Sequence, residues 1–223
     1  MRLFRLFPLL RLVYPDAVFR ITTSAKELCL TFDDGPHPDT TLMILGILES
    51  HNLKAAFFCN GREAEKYPGL VGLIVSKGHV IGNHGYDHLN GWKTNDTDYI
   101  ENALKADEST SSTLFRPPYG RIRLSQYNRM KKKYKIVLWD LMPYDFDEEI
   151  GGKRAFHILK EKIRPGSIIV LHDKSTSTCL SFLDGFIKYA VKEGYTFVTT
   201  PLSGKVQGSP GNQPFKASVN FSA

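Results

Sequence analysis

Thr31-Phe32-Asp33-Asp34-Gly35-Pro36 closes an apolar run, Leu28-Cys29-Leu30-Thr31-Phe32, that reads as a buried strand. Gly and Pro then turn the chain. Two adjacent carboxylates repel each other when water is scarce, so the pair needs a counter-charge. A bound cation supplies one: one carboxylate ligates it and the other stays free to take a proton. Downstream, His84-Gly85-Tyr86-Asp87-His88 offers two imidazoles four residues apart. One Asp and two His form a three-ligand site with open positions, as a catalytic metal requires.

Working outward, six further short runs read as strands: residues 54–59, 79–82, 114–116, 135–139, 167–171 and 196–199. Helices are expected over 38–50, 68–77, 155–163 and 180–192, each with an apolar face, and over 99–112 as a polar surface helix. Strand and helix alternate, which predicts a parallel sheet with helices outside. Polar groups gather just past the strand ends: Asp33-Asp34, His84, Arg116 to Gly120, Asp140 with Asp145, and His172-Asp173. In parallel α/β folds that rim binds ligands.

At 223 residues the chain is long enough for one domain with a sizeable core. Its 42% hydrophobic and 23% charged residues are ordinary for a globular protein. The net charge of +6 favours anionic partners only weakly. The densest basic run, Arg129-Met130-Lys131-Lys132-Lys133, reads as a solvated helix face rather than a nucleic-acid contact. The three cysteines, Cys29, Cys59 and Cys179, read as buried thiols. Residues 1–14 are apolar and basic, but Arg5 and Arg11 interrupt them, so they fit neither a signal peptide nor a membrane span. They read as an extended arm packed on the domain, with peripheral membrane contact as the lesser reading. The expected division is an arm over 1–26, a domain over 27–202 and a flexible tail over 203–223, rich in Gly, Ser, Pro and Asn.

These motifs resemble those of the polysaccharide deacetylases, the NodB homology domain of carbohydrate esterase family 4. The resemblance covers about residues 27–202. Thr31–Pro36 matches T-F-D-D-G-P in full, and His84 and His88 match H-[ST]-x-x-H. Arg116 to Gly120 matches R-P-P-[YF]-G, Asp145 the second Asp of D-x-x-D-W, and Val170-Leu171-His172 matches L-x-H with one conservative change. The fold this implies is a distorted (β/α)7-type barrel.

The resemblance also implies roles. Asp33 would be the general base, oriented by Arg116. Asp34, His84 and His88 would hold one divalent ion, zinc first, with cobalt, nickel or iron as alternatives. His172 would be the general acid, tuned by Asp145. Tyr119 would lend a backbone N–H to the oxyanion, Phe146 would offer an apolar wall for the acetyl methyl, and Val170 would join them in binding substrate. The implied reaction removes N-acetyl groups from amino sugars of a glycan or peptidoglycan through a metal-activated water, by a chain expected to be a monomer. Alternatives are an acetyl esterase using the same site, a non-catalytic glycan-binding homologue, and a nucleic-acid binder. Three positions depart from the pattern: Gly85 lacks the bracing hydroxyl, Met142 replaces the first Asp of D-x-x-D-W, and Phe146 replaces its Trp. The first predicts weaker support for the metal loop.

Overall fold

The computed structural model describes residues 4–6, 9–199 and 202. The tail expected over 203–223 lies outside them. The seven expected strands all form, with shifted ends: β1 (Glu27–Asp33), β2 (Ala56–Cys59), β3 (Val80–Asn83), β4 (Leu114–Phe115), β5 (Lys135–Ile136), β6 (Ile168–His172) and β7 (Thr196–Phe197). Every pair is parallel, in the order β5-β4-β3-β2-β1-β6, with β7 beside the start of β1.

The sheet curls into an incomplete barrel. Its gap lies between β5 and β6 and is spanned by the segment after β5. There Asp140 and Leu141 donate backbone N–H groups to the Ile168 carbonyl at 3.0 and 3.1 Å, and Val170 donates to Leu141 at 3.0 Å. Val18 and Arg20 add bridges to Val137 and Ser167.

Side chains alternate across each strand. Leu28, Leu30 and Phe32 of β1 join an outer apolar cluster, with Leu45 of α2 (Thr40–Ser50), Ile74 of α4 (Pro68–Ser76), Leu159 of α7 (Gly151–Lys162) and Phe186 of α8 (Leu183–Lys192). Cys29 joins the inner cluster with Phe58, Trp139 and Val170. The same alternation turns Thr31 and Asp33 inward along β1 and His172 inward along β6. β1, β2, β4 and β6 are buried on both faces, which is why they read as continuous apolar runs.

Several expectations need correction. The helix expected from residue 99 begins earlier, as α5 (Asp96–Thr110), because the Asn95 side chain accepts from the Asp98 N–H at 3.0 Å and caps it. It is not wholly a surface helix: Tyr99, Ala103 and Ala106 are buried. Two helices went unforeseen, α3 (Gly61–Lys66) and α6 (Leu124–Met130). The arm is not fully extended, since α1 (Leu10–Val13) makes one helical turn. The basic run is partly neutralised by ion pairs, Lys131 with Asp16 at 2.9 Å and Lys133 with Asp107 at 2.6 Å. All three cysteines are free and buried. Among the described residues, no helix is long and apolar enough to cross a membrane.

Candidate active site and metal centre

β1 ends at Asp33, and the turn beyond it presents Asp34 in a left-handed conformation, φ 75°. That turn is anchored by Asp173, which follows β6. Its backbone N–H donates to the Asp33 carbonyl at 2.8 Å, and its carboxylate accepts from the hydroxyls of Thr40 and Thr41 at the start of α2. Gly35 is required here, because a Cβ would stand 2.3 Å from Asp173 Oδ2. Burial pushes the Asp173 carboxyl up to about 6, although the two hydroxyls oppose the shift.

Asp34, His84 and His88 come together, with one ligand atom from each within 4.8 Å of the others. His84 Nε2 lies 3.6 Å and His88 Nε2 3.3 Å from Asp34 Oδ1. His84 Nδ1 is 2.8 Å from the Arg116 carbonyl, which can only accept, so Nδ1 carries the proton and Nε2 turns its lone pair to Asp34. Burial pushes His84 down to about 4, keeping the ring neutral near pH 7 against the pull of Asp33 and Asp34. Asp34 Oδ1 is buried without a hydrogen-bond partner. A bare carboxylate oxygen facing an imidazole lone pair is costly unless a cation lies between them. The donor set therefore fits a divalent ion with N and O ligands.

Burial alone would push the Asp34 carboxyl up, but His88, His84, His172 and Lys174 outweigh it and hold it well below the usual carboxylate range. Lys174 was not foreseen from the sequence. Its Nζ lies 2.8 Å from Asp34 Oδ2 and 5.2 Å from the Phe146 ring centre. Only its position, two residues past His172, hinted at it.

Asp33 lies beside this centre, its Oδ2 3.9 Å from His84 Nε2. Its other oxygen accepts from Arg116, which is fully buried. Arg116 also donates to Thr31 Oγ1 at 2.7 Å and to the Val137 and Leu138 carbonyls at 3.3 Å, with Phe58 stacked beneath at 4.0 Å.

On the neighbouring strand β6, His172 pairs in register with Asp33 of β1. His172 Nδ1 and backbone N–H both donate to Asp145 at 2.8 Å. Burial lowers the pKa of His172, yet the charge and hydrogen bond of Asp145, helped by Asp34 and Asp33, raise it overall. Phe146 meets the His172 ring edge-on at 4.6 Å, and Tyr119 meets His88 edge-on at 4.4 Å. Tyr119 is otherwise exposed. Val170 faces inward two residues before His172 and is fully buried in the inner cluster. Asp87 stays out of the Asp34–His84–His88 cluster, paired with Arg62 and Asn102. Asp140 is held by Arg5, Arg164 and Ser167. A cavity of about 430 Å³ opens beside Asp34, lined by His37, Asn60, Lys66, Tyr67 and Lys174 among others.

The expected loss of support at Gly85 is offset. Gly85 has φ +74°, a conformation glycine adopts without cost. Its N–H donates to Asn83 Oδ1 at 2.7 Å, and Asn102 Oδ1 accepts from the N–H groups of Tyr86 and Asp87 at 2.9 and 3.1 Å. Two asparagines thus brace the loop in place of a hydroxyl.

The family model described as polysaccharide deacetylase matches residues 20–136. A peptidoglycan-N-acetylglucosamine deacetylase of Bacillus cereus is 35% identical over 185 residues, 78% of this chain and 67% of the relative. A chitooligosaccharide deacetylase of Azorhizobium caulinodans is 36% identical over 162 residues, 69% of this chain and 77% of the relative. The crystal structure of a peptidoglycan N-acetylglucosamine deacetylase superposes with a TM-score of 0.81 at 32% identity, covering 88% of this chain and 96% of that one.

Proposed function

Because the chain belongs to the polysaccharide deacetylase family, carbohydrate esterase family 4, we propose that it removes N-acetyl groups from amino sugars of a peptidoglycan or chito-oligosaccharide with one divalent ion, zinc first. The observation that carries this reading is the buried, unpartnered Asp34 Oδ1 facing two imidazole nitrogens, with an arginine-held carboxylate alongside. Asp34, His84 and His88 would hold the ion, which when bound polarises an acyl oxygen and acidifies water.

The other residues divide the proton work. Asp33 takes the proton of the attacking water as general base. Arg116 keeps that carboxylate aimed, because the buried guanidinium pairs with it directly. His172, charged through Asp145, gives its proton to the departing amine nitrogen, which leaves poorly as an anion. The backbone of Tyr119, together with the inner walls Phe146 and Val170, would receive the acetyl group. The catalytic machinery falls within residues 27–202.

The test is acetate release from chito-oligosaccharides, peptidoglycan and acetylated xylan by purified, metal-reconstituted protein. Turnover of the amino-sugar substrates, lost in Asp33→Asn, supports the reading. Turnover of xylan esters alone reassigns the site to an esterase. Saturable glycan binding with no turnover under any divalent ion refutes catalysis.

A further inference from the structure

Three aromatic rings run in file from the N-terminal arm to His172. Phe4 meets Tyr144 edge-on at 5.7 Å and 80°. Tyr144 tilts against Phe146 at 5.7 Å. Phe146 then meets the His172 imidazole edge-on at 4.6 Å and 74°. The backbone runs in step with the rings: the Phe4 carbonyl accepts from the Met142 N–H at 3.0 Å. One residue on, Arg5 forms an ion pair with buried Asp140, which also accepts from Arg164 and Ser167.

The segment held by these contacts, residues 140–146, makes one isolated bridge, at Leu141, and otherwise no regular structure. It carries both Asp145, the partner of His172, and Phe146, the wall beside it. Tyr144 sits at φ 61°, a left-handed conformation that a non-glycine residue keeps only when its surroundings enforce it. Irregular backbone with such a residue at its centre needs support from outside. Asp145 is tied to His172 and Ser177, and Asp140 and Leu141 to Ile168, while Phe4 and Arg5, far away in sequence, add support on the side of Tyr144 and Asp140.

We propose that Phe4 and Arg5 are positioning residues for the reaction: they clamp the 140–146 segment, and through Tyr144 and Phe146 they fix the direction of the His172 ring. The proposal rests on the reading above, in which His172 protonates the departing amine. Neither arm residue touches substrate. Their effect is geometric, and small displacements of a proton donor cost large factors in rate.

The discriminating variant is Phe4→Ala in the full chain, with Leu12→Ala on the same arm as a control, since Leu12 is 78% exposed. In Phe4→Ala, kcat for an N-acetylated amino sugar falls at least about tenfold while KM barely moves. Hydrolysis of 4-nitrophenyl acetate, whose leaving group needs no proton, stays near the unmutated rate. Phe4→Tyr restores amide turnover, and Leu12→Ala leaves it unchanged. The His172 Hε1 resonance, assigned by its loss in His172→Gln, shifts in Phe4→Ala because the neighbouring Phe146 ring moves. Unchanged amide turnover in Phe4→Ala overturns the proposal. So does a parallel fall of amide and ester rates, which marks general loss of structure. If the unmutated chain hydrolyses no amide, the functional reading fails separately. The resonance then decides the clamp by itself, and an unmoved signal refutes it.

Discussion

Asp145 grips His172 twice, accepting at 2.8 Å from its backbone N–H and at 2.8 Å from its Nδ1–H. Ser177 Oγ adds a third bond to the same carboxylate at 2.6 Å. The Nδ1 bond fixes the ring's tautomer and leaves Nε2, under the proposed reaction, as the atom to exchange a proton with substrate. It also favours the imidazolium, so the pKa of His172 rises above the ordinary 6.5 despite burial.

The pH dependence follows. A general acid works only while protonated, so amide turnover falls as pH rises through the elevated pKa of His172. In Asp145→Asn that limb moves to lower pH, and kcat for amides drops by about 10²–10⁴-fold. Stability obeys the same sign: the pairing contributes fully below the unfolded value of 6.5 and fades as pH rises through the folded one. The gap in melting temperature between the unmutated protein and Asp145→Asn therefore narrows on the alkaline side. A pH–rate profile and a pH series of melting curves check both.

Arg116 is the largest wholly buried side chain among the described residues, and its charge is matched by Asp33. Arg116→Leu leaves that carboxylate at 3% exposure with no counter-charge. The expected loss is about 3–5 kcal/mol of unfolding free energy. Urea titration checks it. A loss below about 1 kcal/mol would contradict the pairing, that being the range of exposed ion pairs.

The family hydroxyl that Gly85 lacks should not help this protein. Gly85→Ser puts a Cβ into a backbone at φ +74°, 3.3 Å from Asn102 Oδ1. That oxygen already serves two loop N–H groups. The variant should lose about 1–3 kcal/mol of stability and bind metal no more tightly. Denaturation midpoints and equilibrium dialysis measure the two effects.

Lys174 holds its ammonium on Asp34 Oδ2 at 2.8 Å, where it competes with any incoming cation. Because the lysine side chain is 35% exposed, the competition is screened. Lys174→Met should tighten divalent-ion binding by a few-fold, about the 0.2–1 kcal/mol of a partly exposed pair. Competitive titration against a chromogenic chelator reads it, and weaker binding would show that the lysine instead supports the site.

These contacts mark where the sequence was legible. The central strands β1, β2 and β6 could be read because both faces of each are buried, leaving unbroken apolar runs. The cluster of Asp34 with two imidazoles could be read because Asp34 and His84 follow the ends of β1 and β3, where topology gathers them, with His88 on the loop beyond. Asn102, Lys174 and Phe4 could not, since each acts through a partner distant in the chain, or through a backbone turn with no residue signature. α3 escaped for a related reason: its start depends on the Asn60 side chain accepting from the Arg62 N–H at 3.0 Å, and that short capped segment has no strong apolar stripe. Gly85 was read from its missing hydroxyl, but its left-handed backbone and its asparagine braces exist only in three dimensions.

The most direct measurement counts divalent ions per chain by equilibrium dialysis and elemental analysis on four proteins: unmutated, Asp34→Asn, His84→Ala and Asp33→Asn. Asp34 with its two imidazoles as the ligand set predicts a single tightly held ion in the unmutated protein. It predicts loss of that ion in Asp34→Asn and His84→Ala, and retention in Asp33→Asn with acetate release abolished. No bound ion in the unmutated chain, or one indifferent to Asp34 and His84, would contradict the account.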